Sequence, residues 1–117
     1  MMTKQEILEV LGRVYDPDQP DKSIVELGIV EEEGIEVKGD RITITYCMKA
    51  PLCPYSAAIG LLIRRAIKDK LGKTCEVRIH ESHYQSSNVN SILTDDKKVR
   101  DLEAKMESTG LFSQHIR

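Results

Sequence analysis

The alternation of apolar and polar residues predicts two strands, one before and one after a long helix. Apolar residues occupy every second position of residues 41–48, which is typical of a strand with one buried face. In residues 55–71 they recur three and four positions apart, as in an amphipathic helix, and Gly72 follows as a stop signal. Alternation returns in residues 75–80. This order predicts a parallel strand pair joined by a right-handed crossover helix.

Shorter patterns precede this unit. Residues 35–38 alternate in the same way, and the Gly-Asp pair that separates them from the long strand predicts a hairpin. Residues 3–14 have helical spacing, and Thr3 with Glu6 has the arrangement of a capping box. We therefore expect an N-terminal helix followed by a hairpin.

The C-terminal residues have a weaker pattern. The polar stretch 82–90 is predicted to be a loop. Thr94 is a candidate N-cap of a helix that continues to Ser108, because Asp95 and Asp96 would then lie in its first turn, where negative charge is favourable.

Together these elements predict an α+β fold. The sheet is expected to be small and mixed, with three or four strands, an N-terminal helix, a β-α-β crossover helix and a C-terminal helix. The 117 residues are expected to form a single domain, with a core over residues 3–82 and a helical extension over 83–117.

Composition narrows the classes of function. The net charge is −2, with 17 Lys and Arg against 19 Asp and Glu and no basic stripe, so we expect no nucleic-acid partner. No apolar run or leader pattern predicts a membrane span or export, so we expect a cytoplasmic protein. Familiar nucleotide-binding and hydrolase motifs are absent from the sequence, which predicts that the protein is not an enzyme.

Cys53 is the candidate centre of chemistry. Pro54 is well suited to the first position of the helix, which would make Cys53 its N-cap. Backbone N–H groups and the helix dipole there lower a thiol pKa and favour the thiolate, and Lys49 would add to the effect. The alternative is a small apolar residue that fills a strand–helix corner. The local sequence leaves both readings open.

The other cysteines are interpreted as structural. The three cysteines form no CxxC pair, which favours reduced thiols over a disulfide framework or an ordinary zinc site. Cys75 shares the inward phase of its strand and is predicted to be buried. Cys47 falls on the opposite face of its strand, where it either approaches Cys53 or lies against a covering helix.

Acidic residues and histidines give weaker signals. Asp16 and Glu26 belong to an acidic segment before the hairpin, which has the oxygen ligands of a cation site but not the spacing of an EF-hand. The preferred interpretation of Asp16 is a turn cap. His80 and His83 lie at a strand end without an evident third ligand, which is a weak metal signal.

Three motifs, in matching order and spacing, resemble those of the iron–sulfur cluster assembly domain family. They are Asp16-Pro17-Asp18, the segment 23–30 with its Glu-Leu-Gly, and Ala50-Pro51-Leu52-Cys53-Pro54 at the start of a helix. This family includes SufT-like and PaaD-like metal–sulfur cluster assembly factors. The similarity covers roughly residues 5–82.

The resemblance implies a site made of Cys53, Asp16 and Glu26. Cys53 corresponds to the motif cysteine and would be a shared iron–sulfur ligand. Family members usually carry threonines where this chain has Lys49 and Ala50, which removes hydroxyl groups from the neighbourhood of the sulfur.

The function implied is that of an accessory factor in iron–sulfur cluster assembly or transfer. Because a cluster typically needs four protein ligands, a transient cluster or iron would be shared between subunits. The expected partners are the iron–sulfur assembly machinery, client apoproteins and a second copy in a homodimer. The alternatives are a non-catalytic interaction adaptor, or an accessory subunit of an oxygenase complex like that of PaaD-like proteins.

Overall fold

The computed structural model describes residues 3–16, 21–39, 41–47, 56–80 and 86–116. It confirms the α+β prediction, including the N-terminal helix, the crossover helix and the C-terminal helix. None of the helices in these ranges is long and apolar enough to cross a membrane. In chain order the elements are α1 (Lys4–Leu11), a 3-10 turn (Glu32–Gly34), β1 (Ile35–Lys38), β2 (Arg41–Tyr46), α2 (Ser56–Leu71), β3 (Cys75–Ile79), α3 (Ser86–Leu93), α4 (Asp96–Ser108) and α5 (Leu111–His115).

The sheet has the order β1-β2-β3 within the described residues. β1 and β2 pair antiparallel, as the hairpin prediction requires, and β2 and β3 pair parallel. In the parallel pair, Ile44 lies opposite Val77 and Tyr46 lies opposite Ile79. These residues are buried, whereas Thr43, Thr45, Glu76 and Arg78, one position along each strand, are half-buried or exposed. One face of the sheet therefore belongs to the core.

Helix α2 covers the inner face of the sheet and forms the centre of the core. Ile59, Leu62 and Ile63 have no exposed surface, because α1, α3 and the C-terminal helices surround α2 on its other sides. Gly60 allows this close packing. A Cβ atom there would lie 2.9 Å from the Tyr46 hydroxyl and 3.0 Å from the Leu93 side chain.

The N-terminal helix begins as predicted and ends early. The Thr3 hydroxyl accepts a hydrogen bond from the Glu6 N–H at 3.2 Å. The helix stops at Leu11, not at residue 14 as the sequence pattern suggested. Val14 instead forms isolated bridge contacts with Ile116, and its carbonyl accepts from the Ile24 N–H. Its apolar side chain still contributes to the core, which explains why the helical spacing extended too far.

The predicted loop over residues 82–90 was wrong for residues 86–90, because α3 begins at Ser86, and residues 82–85 lie outside the described residues. This polar helix is held by its contacts with β3. The Ile79 N–H donates to Asn90 Oδ1 at 2.9 Å, and Asn90 Nδ2 donates to the Ile79 carbonyl at 3.3 Å. The side-chain amide thus completes the hydrogen bonds of the outer edge of the sheet, where a further strand would otherwise pair.

Helix α4 is capped by Asp95 and not by Thr94. The Asp95 carboxylate accepts from the N–H groups of Lys97 and Lys98. The Thr94 hydroxyl instead donates to the Asn90 carbonyl at 2.9 Å, at the end of α3. The prediction was one residue off because both side chains are able to cap a helix.

The C-terminal helices dock on α2 through Arg65. Its guanidinium lies 2.8 Å from the Glu107 carboxylate, 3.5 Å from that of Glu103, and 4.2 Å from the centre of the Phe112 ring. The hydrogen bond with Glu107 raises the pKa of Arg65. Tyr15 donates its N–H to the His115 carbonyl at 2.7 Å, so the end of the described chain returns to the N-terminal segment.

Asn90→Asp is expected to lower the free energy of unfolding by about 1–3 kcal/mol near neutral pH. An ionised carboxylate still accepts from the Ile79 N–H but has no proton to donate to the Ile79 carbonyl. Urea unfolding measures the loss. Ser91→Asp is the matched control, because it adds the same charge at an exposed position of α3.

Protonation of the new carboxyl group restores a donor. The stability difference between Asn90→Asp and Ser91→Asp should therefore shrink below about pH 4. Equal stability of the two variants near pH 7 would contradict the role assigned to Asn90.

Candidate functional site

The predicted Cys53 site lies outside the described residues, but the residues on both sides of it are described. Cys53 lies in residues 48–55, outside the described residues, as do Lys49 and Ala50. This segment connects Cys47, directly after β2, to Ser56, the first residue of α2. The assignment of Cys53 as a ligand stays a prediction.

Asp16 and Glu26 lie in different environments. Asp16 is 5% exposed, and its N–H donates to the Lys22 carbonyl at 3.1 Å. Glu26 is exposed, and its carboxylate accepts from the Ser23 N–H at 3.4 Å while the Ser23 hydroxyl accepts from the Glu26 N–H at 3.1 Å. This is the reciprocal pattern of a capping box, so Glu26 closes its own turn. Their predicted part in a cofactor site is not tested by these contacts.

Backbone hydrogen bonds connect this acidic segment to the end of the sheet. The Ile24 N–H donates to the Val14 carbonyl, and the Ile29 N–H donates to the Ile24 carbonyl, both at 2.9 Å. The Cys47 N–H then donates to the Ile29 carbonyl at 2.8 Å. Gly28, with φ 73°, allows the turn between these bonds. Residues 24–29 are therefore fixed beside Cys47, the residue that precedes the segment 48–55.

A cavity of about 530 Å³ opens at this end of the sheet. Its base is the outer sheet face at Thr43 and Thr45, and Cys47 and His80 both contribute to its wall. Three glutamates give the cavity a negative charge. The lining residues are Gly28, Ile29, Glu31, Glu33, Gly34, Glu36, Thr43, Thr45, Cys47 and His80.

Cys47 and His80 come from neighbouring parallel strands. Tyr46 pairs with Ile79, and each of the two candidate ligands is the next residue along its strand. The His80 N–H donates to the Tyr46 carbonyl at 2.7 Å, which continues the parallel pairing by one residue. In parallel α/β arrangements, ligands characteristically bind beyond the carboxyl ends of the strands.

The sequence interpretation did not join these two residues. Cys47 was read as structural, whereas it is half-buried and lines the cavity. His80 was considered together with His83, which lies outside the described residues. The sequence placed Cys47 and His80 at the ends of two strands that were predicted to be parallel. It could not show that they lie side by side, because the register between strands joined by a crossover is not fixed by local sequence.

Cys75 is a structural thiol, as predicted. It is 4% exposed, and burial raises the pKa of its thiol to about 11. A buried thiol that resists ionisation is a poor metal ligand, because metals bind the thiolate.

Among the described residues, no group of three or more Cys, His, Asp or Glu side chains is placed to hold a metal ion. The cavity with Cys47 and His80 therefore differs from a closed structural zinc site, which has four protein ligands.

A family model described as iron–sulfur cluster assembly protein matches residues 4–79. The chain belongs to the iron–sulfur cluster assembly protein family. This confirms the resemblance recognised from the three motifs. The match extends from α1 to the end of β3, so it includes the segment that carries Cys53 and ends one residue before His80.

The chain is also similar to two known proteins. It is 31% identical over 99 residues to Protein AE7-like 1 of Arabidopsis thaliana, an alignment that covers 80% of this chain and 64% of the plant protein. The crystal structure of a domain of unknown function, DUF59, from Bacillus anthracis is 21% identical, with a TM-score of 0.59 over 66% of this chain and 73% of that chain. At this identity the bacterial structure supports the fold alone.

The buried thiol predicts a loss of stability in alkali. The folded state keeps the Cys75 thiol protonated up to a pKa of about 11, whereas the unfolded state loses this proton near the ordinary thiol value of 9.0. The resulting contribution to the free energy of unfolding is complete below pH 9.0 and is lost between these two values. The loss is expected to be about 2–3 kcal/mol. Urea unfolding between pH 8 and about pH 11 measures it.

Cys75→Ala should flatten this part of the pH profile, because it removes the thiol that burial keeps protonated in the folded state. Ser91→Ala changes an exposed residue without an ionisable side chain and should keep the wild-type slope. Parallel profiles for wild type and Cys75→Ala would contradict the assignment.

Proposed function

We propose that this chain is a non-catalytic accessory factor that assembles or transfers iron–sulfur clusters to client apoproteins, with Cys53 as a thiolate contact for the cargo. The observation that carries the proposal is the family match over residues 4–79. The cluster or iron is cargo to be passed on, and not a resident cofactor of an enzyme. A cytoplasmic location would keep the required thiols reduced.

Chain connectivity supports a site near the carboxyl ends of β2 and β3. Residues 48–55 carry the family motif and leave the sheet at Cys47, beside the cavity. An open cavity suits a delivery factor, because a ligand from the client needs access to the metal before this chain releases it. A fully enclosed site would hold its cargo instead.

One motif cysteine does not complete a cluster. Clusters are typically held by four protein ligands, so the remaining ligands would come from the assembly machinery, a client or a second copy of this chain. This requirement supports a shared site. It also explains why a stable cluster is not expected on one isolated chain.

Cys53→Ala is expected to lose most of the acid-labile sulfide and visible cluster absorption that the wild-type protein acquires during anaerobic reconstitution with ferrous iron and sulfide. Cys75→Ala is the matched control, because it removes a buried thiol that is a poor ligand. Equal acid-labile sulfide and visible absorption in wild type and Cys53→Ala would overturn the ligand role.

Transfer is tested separately with an apoferredoxin as acceptor. Reconstituted wild type should restore the absorption of the acceptor faster than free iron and sulfide do, and Cys53→Ala should lose at least about tenfold of that rate (about 1.4 kcal/mol in the barrier). An oxygenase-specific role, as in PaaD-like proteins, would instead give transfer to the oxygenase component but not to the ferredoxin.

A second candidate is an adaptor that recruits clients without binding cargo. The exposed run Glu31, Glu32 and Glu33 favours it, because a dense acidic surface attracts a basic partner. If this is the function, changing all three glutamates to lysine should abolish client maturation, and Cys53→Ser should leave it intact. If the chain carries the cargo itself, Cys53→Ser should impair client maturation more than the change of the three glutamates to lysine does.

A further inference from the structure

Cys47 and His80 carry side chains of the kinds that bind transition metals, and the family motif does not include them. Both follow directly after paired residues of parallel strands, and the 2.7 Å bond from the His80 N–H to the Tyr46 carbonyl fixes their register. Both line the same cavity of about 530 Å³. Cys47 is half-buried and His80 is exposed, so an ion arriving from solvent has access to them.

The chemistry of the pair selects a class of ion. A thiolate and a neutral imidazole suit ions of intermediate softness such as Fe²⁺, Zn²⁺ and Co²⁺, whereas Mg²⁺ and Ca²⁺ prefer oxygen ligands. Glu31, Glu33 and Glu36 line the same cavity and raise the local concentration of cations. The cavity thus combines a charge that attracts cations with two side chains that favour transition metals.

We propose that Cys47 and His80 bind a single divalent transition-metal ion, Fe²⁺ under reducing conditions, as an entry site for iron. This inference rests on the proposed function and deepens it, because it names where ferrous iron is first held. Among the described residues the ion has these two protein ligands, and exchangeable ligands such as water occupy its other coordination positions. The ion is then exchangeable, as delivery requires, in contrast to an ion in a closed four-ligand site.

Binding is a ligand exchange without electron transfer. The Cys47 thiol releases its proton to solvent, its sulfur forms a bond to the metal, and an imidazole nitrogen of His80 donates its lone pair. Each new bond displaces one water molecule from the hydrated ion.

Anaerobic titration with Co²⁺ tests the site, since cobalt bound to a thiolate gives a sulfur-to-metal charge-transfer band. Wild type should show this band at one Co²⁺ per chain. Cys47→Ser should lose the charge-transfer band, and His80→Gln should weaken binding by about 100-fold or more, because outer-shell partners alone are worth 10–100-fold.

The controls are Cys75→Ala and Arg78→Gln. The first removes a buried thiol, and the second removes an exposed side chain two residues before His80. Both should titrate as the wild type does. Circular dichroism of each variant checks that loss of the band does not come from loss of the fold.

Cys53→Ala separates this inference from the proposed function. The entry site predicts that Cys53→Ala keeps the cobalt band, whatever its effect on cluster reconstitution and transfer. A band that survives in Cys47→Ser or keeps its wild-type affinity in His80→Gln overturns the entry site, even if Cys53→Ala fails in cluster transfer. Loss of the band in Cys47→Ser with weakened binding in His80→Gln supports it, even if cluster transfer does not depend on Cys53.

Discussion

The parallel pairing of β2 and β3 is the constraint on which the rest of the structure depends. Parallel neighbours need a crossover, and α2 supplies it by lying across one face of the sheet. The other face borders the cavity at Thr43 and Thr45, and the carboxyl ends of both strands reach the same edge. Cys47, the segment that carries the family motif, and His80 therefore start from one place in the fold. The candidate site is a consequence of this topology.

The C-terminal helices add buried residues to the core beyond the segment that the family model matches. Helix α3 supplies Asn90 to the open edge of β3, and α4 and α5 are held to α2 by Arg65. Buried Met106 and Phe112 belong to the same core as α1 and α2. Their burial at the far end of the chain shows that these helices contribute to the core, although the family match ends at residue 79.

Most of the fold could be predicted because its elements are amphipathic over several turns or residues. The periods of β2, α2 and β3 identified each element, and their order predicted the parallel pair. Helix α3 could not be found in this way. Its sequence, SSNVNSIL, has apolar residues at helical spacing over a single turn only, and burial of Val89 and Leu93 together with the Asn90 amide contact to Ile79 fixes it in place. Val14 caused the opposite error, in which α1 was predicted to be too long. It is an apolar residue in an isolated bridge, but its spacing from Leu11 is the same as in a helix.

For the site, the sequence by itself determined the family, the motif cysteine and the burial of Cys75, since these follow from residue order and strand phase. Only the tertiary structure decided that Cys47 and His80, 33 positions apart in the printed chain, line one cavity. It also decided that Asp16 is buried while Glu26 closes an exposed turn. The physical reason is that local periodicity reports which face of an element is buried, whereas register and side-chain environment depend on contacts between residues distant in sequence.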